Sequence, residues 1–184
     1  LVGGVSSQVI TAKLARKRIA EMFGMYVSRN VARYLIDNPD FSVEGKTETV
    51  TVLFSDIRGF TTLSESLSPA EVGYFLNHYF SRMLDILFRF DGTLDKLMGD
   101  AVMGFFNAPV RMKDHAERAA ETALLMTAEL PDIRRNIRVP GAETLDIGIG
   151  LNTGPVTAGN LGSKSFADYT VIGDTVNTGS RLEG

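Results

Sequence analysis

The chain contains no cysteine, which excludes a disulfide framework and a thiolate metal site and is compatible with a reducing compartment. It has no excess of positive charge: 19 Lys+Arg stand against 22 Asp+Glu, a formal net charge of −3 spread along the chain. That argues against a nucleic-acid binder relying on a basic surface. No apolar run approaches the roughly 20 residues needed to span a bilayer. The opening Leu1-Val2-Gly3-Gly4-Val5 is too short for a membrane helix and is not a signal peptide. There is no internal repeat and no low-complexity tract. What is there is 184 residues, 44% hydrophobic and 22% charged, enough for one soluble domain with a real core and an arm.

Lys13, Arg16, Lys17 and Arg18 follow the short apolar start. This end reads either as the inner edge of a membrane span lying upstream or as a solvated helix start. Residues 8–37 carry an imperfect helical stripe, Ile10, Leu14, Ile19, Phe23 and Tyr26, continued by Val31, Leu35 and Ile36. Asn38-Pro39 stops it. The segment is either a connector that pairs with a second copy of itself or a simple packing arm. After a polar linker over 40–48, Val50 to Phe54 is an apolar, β-branched run that predicts a buried strand.

Ser68, Pro69 and Glu71 form a helix start, with an N-cap, a first-turn proline and a capping box. Val72, Phe75, Leu76, Tyr79, Met83, Ile86, Leu87 and Phe90 then keep helical spacing for five turns, and Asp91-Gly92 ends them. Such a stripe belongs against a sheet. Thr93 to Met98 and Ala101 to Phe106 are expected as two short strands joined by a tight Gly99-Asp100 hairpin turn. A second helix is expected over Lys113 to Leu130, with Ala116, Ala119, Ala120, Ala123, Leu124 and Leu130 inward and Pro131 as its end. A polar loop follows over 132–143. Leu145 to Asn152 reads as a strand that turns at Gly154-Pro155 into Val156 to Leu161. A last strand, Tyr169 to Ile172, leads into a final helix begun by Gly173-Asp174. The order strand, helix, strand, strand, helix, strand predicts an α+β, ferredoxin-like antiparallel sheet with its helices on one face, preceded by the helical arm.

Two carboxylates stand at ends of predicted strands. Asp56 follows the buried run Thr51-Val52-Leu53-Phe54-Ser55, and Asp100 lies on the hairpin turn. In this sheet pattern their strands are neighbours, so the two carboxylates can meet at one end of the sheet. Two carboxylates that close repel unless a cation bridges them. Mg²⁺ takes one or two carboxylates plus substrate phosphates, so a pair of aspartates suits a nucleotide–metal site. Gly59 lets the following backbone approach phosphates, and the amides from Ile57 through Gly59 and Phe60 to Thr61 are candidates to cradle them.

Three motifs bring these residues together. Phe54-Ser55-Asp56-Ile57-Arg58-Gly59-Phe60-Thr61, Asp95-Lys96-Leu97-Met98-Gly99-Asp100, and Tyr169-Thr170-Val171-Ile172-Gly173-Asp174-Thr175-Val176-Asn177 followed by Arg181 resemble, in order and spacing, the class III nucleotidyl cyclase catalytic domain. The resemblance covers about Thr47 to the end. The preceding arm is similar to the helical transducer of bacterial membrane receptors. The implied domains are an arm and linker over 1–46 and a catalytic domain over 47–184. The family continues past this point to a lysine that holds the triphosphate end, so the catalytic domain is expected to be C-terminally incomplete at Gly184.

The resemblance implies that a ribose 3′-hydroxyl attacks the α-phosphorus of a nucleoside triphosphate, giving a 3′,5′-cyclic nucleotide and pyrophosphate. Asp56, Asp100 and the Ile57 carbonyl would hold two Mg²⁺ or Mn²⁺ ions per site. Lys96 and Thr170 would recognise the base, Asn177 would orient the ribose, and Arg181 would stabilise charge on the α-phosphate. Family members form head-to-tail dimers with sites shared across the interface. An upstream sensor and a place at the inner face of the membrane are implied for the full-length protein. The roles make chemical sense. Asn177 and Arg181 are four apart and share a helix face, and arginine is a fixed fork of donors for phosphate oxygens. Lys96 donates only, which suits adenine N1, and a threonine hydroxyl can accept from the adenine 6-amino group. Guanylate cyclases of the family carry an acidic residue at the lysine position. ATP is therefore the expected substrate, with guanylate cyclase or a silent nucleotide-binding dimerisation module as alternatives. A diguanylate cyclase or polymerase is disfavoured, because Met98-Gly99-Asp100-Ala101-Val102 replaces the Gly-Gly-Asp-Glu-Phe hairpin. Gly179 stands inside the final helix, where glycine costs about 1 kcal/mol relative to alanine.

Overall fold

The computed structural model describes residues 45–162 and 167–184. The arm over 8–37 and most of the linker lie outside the described residues. The elements run β1 (Lys46–Ile57), α1 (Phe60–Glu65), α2 (Pro69–Arg89), β2 (Thr93–Met98), β3 (Ala101–Phe106), α3 (His115–Asn136), a short 3-10 turn (Ala142–Thr144), β4 (Ile147–Gly162), β5 (Ala167–Ile172) and α4 (Asp174–Glu183). The five strands form one antiparallel sheet in the order β2-β3-β1-β4-β5.

β1 organises the sheet because it is apolar on both faces. Leu53 and Ile57 join Phe75, Tyr79, Met83 and Leu87 of α2 and Ala119, Met126, Leu130 and Ile133 of α3 in one core. Val50, Val52 and Phe54 point to the opposite face, with Met103, Phe105, Val156 and Val171. There α4 packs, with Val176 against this second core. The two long helices thus share one face, as expected, while the final helix covers the other. α2 begins at the predicted cap: Ser68 Oγ accepts from the Glu71 amide, and the Glu71 side chain accepts from the Ser68 amide. Among the described residues no helix is long and apolar enough to cross a membrane.

Three expectations are corrected. α3 does not stop at Pro131 but continues to Asn136. The lost amide bond is outweighed by burial of Ile133 and by Arg134 Nε, which donates to the Leu145 carbonyl at 2.7 Å. The inward face of α3 is Ala119, Thr122, Met126, Leu130 and Ile133, and Leu124 is exposed. The alanines are too small to decide the face, and the larger Met126 and Ile133 set it. Finally, Gly154-Pro155 does not turn the chain: β4 runs unbroken for 16 residues. Pro155 pairs with Thr49 of β1, whereas pairing with β5 begins only at Thr157. The missing amide therefore costs no bond to a second neighbour.

Candidate active site

Asp56 lies near the end of β1, on the face occupied by Val52, Phe54 and α4, and Asp100 closes the β2–β3 turn. Gly99 takes φ +65° in that turn, as the tight hairpin requires. Ser55 pairs with Val102 across β1 and β3, which places the Asp100 turn beside the end of β1. The Ile57 amide donates to Asp100 Oδ2 at 3.3 Å. Burial, then the hydrogen bond and the negative charge of Asp56, push the Asp100 carboxyl up to about 6. Two acids crowded in this way suit a divalent cation, which removes the repulsion that each imposes on the other. Among the described residues no set of three or more His, Asp or Glu side chains gathers around one point. A donor set of two carboxylates fits Mg²⁺ or Mn²⁺ that draws its other ligands from water and phosphate. Beneath the pair, the buried Tyr79 hydroxyl meets Ser55 Oγ at 3.3 Å, and burial raises the Tyr79 phenol above its ordinary value.

The glycine turn after Asp56 takes a form that was not expected. Gly59, at φ +70°, caps the short helix α1. The first intrahelical bond runs from the Leu63 amide to the Gly59 carbonyl at 3.1 Å, so the amides of Phe60 and Thr61 lie in the first turn, where a helix leaves donors without intrahelical partners. The Ile57 amide is already committed to Asp100, and the Arg58 amide donates to the Asp146 carbonyl at 2.9 Å.

Lys96 and Thr170 come from the two edge strands, β2 and β5, yet the structure brings them to one cluster. The link is Asp95, which the sequence reading did not single out. The β2–β3 register slips between Leu94 and Lys96, so Asp95 is the extra residue of a bulge. Bulges re-aim side chains. Here the carboxylate turns toward β5, where Oδ2 accepts the Thr170 hydroxyl at 2.5 Å and the Val171 amide at 3.3 Å. Lys96 Nζ stands 3.1 Å from Oδ1, an ion pair without hydrogen-bond geometry. The Asp95 side chain is 0% exposed, against 43% for Lys96. A charged side chain buried beside a bulge was the available signal, but its direction depends on a strand 75 residues away.

Asn177 and Arg181 are both exposed on α4. Neither side chain hydrogen-bonds or ion-pairs with another described residue, so within one chain they are not joined to the carboxylate pair. α4 is held close to the sheet. A Cβ at Gly179 would stand 2.6 Å from Val52 Cγ2, and a Cβ at Gly150 of β4 would stand 2.5 Å from the Glu183 amide and clash with the Gly179 carbonyl. The glycine that weakens an isolated helix is thus what lets this one dock. Asn152 Nδ2 donates to the Thr175 carbonyl at 2.9 Å, and Thr175 Oγ1 donates to the Pro155 carbonyl at 2.8 Å. At the far end Arg58 Nη2 donates to the Glu183 carbonyl at 2.6 Å. The Glu183 carboxyl is raised by burial and by Asp56, and Arg58 opposes the shift. Glu183, also absent from the sequence reading, therefore brings the end of α4 beside the Asp56 strand end.

Comparison with known proteins identifies the family. The family model described as the adenylate and guanylate cyclase catalytic domain matches residues 43–184. Adenylate cyclase 1 of Rhizobium meliloti (strain 1021) is 37% identical over 163 residues, covering 88% of this chain and 24% of that protein. Among solved structures, the adenylyl cyclase CyaB from P. aeruginosa has a TM-score of 0.70 at 40% identity, covering 76% of this chain and 73% of that one. The guanylyl cyclase Cya2 has a TM-score of 0.72 at 40% identity, covering 76% and 71%. The chain spans about a quarter of the length of the curated relatives it matches. With the match running from the linker through both carboxylates and the whole of α4, this chain belongs to the class III nucleotidyl cyclases, as a catalytic domain of the adenylate and guanylate cyclase family.

Proposed function

We propose that the chain is the catalytic domain of an adenylate cyclase, a phosphorus–oxygen lyase that turns ATP into 3′,5′-cyclic AMP and pyrophosphate. The observation that carries this reading is the convergence of Asp56 and Asp100 at one end of the sheet while Lys96 and Thr170 form a separate polar cluster. The order β2-β3-β1-β4 is read as the ferredoxin-like arrangement that such a site requires. Asp56, Asp100 and the Ile57 carbonyl would hold two Mg²⁺ or Mn²⁺ ions, which when bound promote attack by an oxygen and neutralise phosphate charge. The first-turn amides of α1, at Phe60 and Thr61 after Gly59, face the triphosphate. Lys96 donates to adenine N1, and Thr170 accepts from the 6-amino group. Asn177 orients the ribose, and Arg181 supplies donors where charge develops on the α-phosphate.

In this reading Asn177 and Arg181 serve the carboxylate pair of a second copy. A two-fold homodimer repeats each shared surface twice, giving two equivalent sites. The arm would then pass the state of an upstream sensor, at the inner face of the membrane, to that interface.

Incubation of the purified chain with ATP or GTP and Mn²⁺, followed by chromatography, tests the chemistry. Cyclic AMP from ATP alone is expected. Cyclic GMP instead would assign the guanylate cyclase reaction, and tight nucleotide binding without product would assign a silent module. Site sharing has its own test. Asp56→Ala and Arg181→Ala chains, each inactive alone, are expected to recover on mixing up to about a quarter of wild-type activity, because random pairing makes half the dimers mixed and each mixed dimer keeps one intact site. Mixed dimers that form and remain silent would sink the shared site.

A further inference from the structure

Asp95 is assigned no contact with substrate of its own, yet it hydrogen-bonds the Thr170 hydroxyl and ion-pairs with Lys96, the two residues that would read the base. We infer that Asp95 is a specificity-positioning residue, which fixes the Thr170 hydroxyl as a hydrogen-bond acceptor and thereby selects a purine bearing a 6-amino group over one bearing a 6-oxo group. The inference rests on the adenylate cyclase reading above and deepens it.

A threonine hydroxyl has one proton and two lone pairs, and left alone it rotates to suit whatever it meets. With a free rotor it would accept from the adenine 6-amino group or donate to guanine O6 with little preference. In this chain the rotor is not free. The Thr170 proton is directed to Asp95 Oδ2 at 2.5 Å, within the range of a charge-assisted O–H···O bond. The same oxygen accepts the Val171 amide at 3.3 Å, which holds the carboxylate against β5. Only lone pairs of Thr170 are then left for the base. They attract an amino group and repel a carbonyl oxygen. On the other side Lys96 Nζ is kept 3.1 Å from Asp95 Oδ1. One buried carboxylate therefore sets an acceptor and a donor side by side, the complement of the adenine edge with its amino group and N1.

The bulge explains how this is built. In a regular strand the Asp95 side chain would follow the alternation of its neighbours. As the extra residue between Leu94 and Lys96 it is released from the ladder and aimed across to the other edge strand. Its side chain is 0% exposed, and Oδ1 is buried without a hydrogen-bond partner among the described residues. Oδ2 alone holds β5, while Oδ1 is directed at the Lys96 ammonium, so the carboxylate reaches both base-reading residues.

The test is equilibrium binding of 3′-deoxy-ATP and 3′-deoxy-GTP, which lack the attacking hydroxyl, in the presence of Mn²⁺. Wild type is expected to favour the adenine compound. Asp95→Asn, whose amide can donate to Thr170 and free its proton, is expected to reduce that preference about tenfold, the worth of one hydrogen bond in such a site. In a Thr170→Val background Asp95→Asn is expected to change the preference far less, because the hydroxyl is gone and only the Lys96 ion pair is left to respond. A purely structural tie would weaken both nucleotides by the same factor, and that result overturns the inference. So does a change of preference that persists in full with Val at position 170. If wild type favours 3′-deoxy-GTP, or binds neither compound, the adenylate cyclase reading fails first and the inference falls with it. Should Asp95→Asn not fold, wild type is probed with 3′-deoxypurine triphosphates carrying hydrogen or fluorine at C6. An acceptor-only Thr170 binds the fluorine compound several-fold more weakly, whereas equal or tighter binding means the hydroxyl is free to donate.

Discussion

Asp100→Asn is expected to abolish cyclic nucleotide formation and, in the same protein free of divalent cation, to raise the melting temperature at pH 8. The two effects have one cause. The Asp100 carboxyl is raised to about 6 by burial and by Asp56, above its ordinary value of about 3.8. Between those values the folded chain holds a proton that the unfolded chain has released, so stability falls as pH rises through this window and stays low above it. The ionised pair is a standing cost at pH 8. Asparagine removes the charge and keeps an oxygen that can accept from the Ile57 amide. A gain of several degrees at pH 8 should shrink as pH drops through 6 and vanish near pH 4, where the aspartate itself is neutral. Mn²⁺ should raise the melting temperature of wild type at pH 8, lose that effect below about pH 6, and do little for the variant. Scanning calorimetry across this range, with and without Mn²⁺, reads all of these. A variant less stable than wild type at pH 8 would mean that the two acids are not in conflict, and full turnover in the variant would remove Asp100 from the metal site.

Gly150→Ala is expected to cost about 1–3 kcal/mol of stability, the range for forcing one carbon into a packed core. For a domain of this size that is roughly a 2–12 °C fall in melting temperature. The added carbon meets backbone on the facing helix, the Gly179 carbonyl and the Glu183 amide, and backbone cannot turn aside as a side chain can. α4 must therefore lift from the sheet. Asn177 and Arg181, the proposed ribose and phosphate contacts, ride on it, and misplacing a catalytic group by about 1 Å costs on the order of 10²-fold in rate. Turnover should thus fall far more than the folded fraction does at 25 °C. Gly73→Ala is the control. A Cβ there meets nothing, and alanine favours its helix, so stability should hold or rise and turnover should not change. If Gly150→Ala folds and turns over like wild type, docking of α4 does not govern the site.

Local pattern was sufficient where one segment decides its own shape. The capped start of α2 at Ser68, the apolar run of β1 and the β2–β3 hairpin bounded at Thr93, Met98, Ala101 and Phe106 all stand as the residues predict. The pairing of Asp56 with Asp100 was legible too, because both sit at ends of elements whose neighbours the strand order specifies. Legibility failed where a distant partner holds the deciding vote. Pro131 reads as a stop until the burial of Ile133 is known, and Gly154-Pro155 reads as a turn until β1 is seen to pair along the whole of β4.

By itself the sequence determined most of the elements, the two converging carboxylates and the family, since these depend on spacing within short stretches. Only the tertiary structure decided the rest. It turned Asp95 toward Thr170, set Gly179 against β1 and β4, and brought Glu183 beside Arg58. Each of these depends on atoms that are tens of residues apart in the chain. Their meeting is fixed by sheet closure and helix docking, which no local propensity encodes.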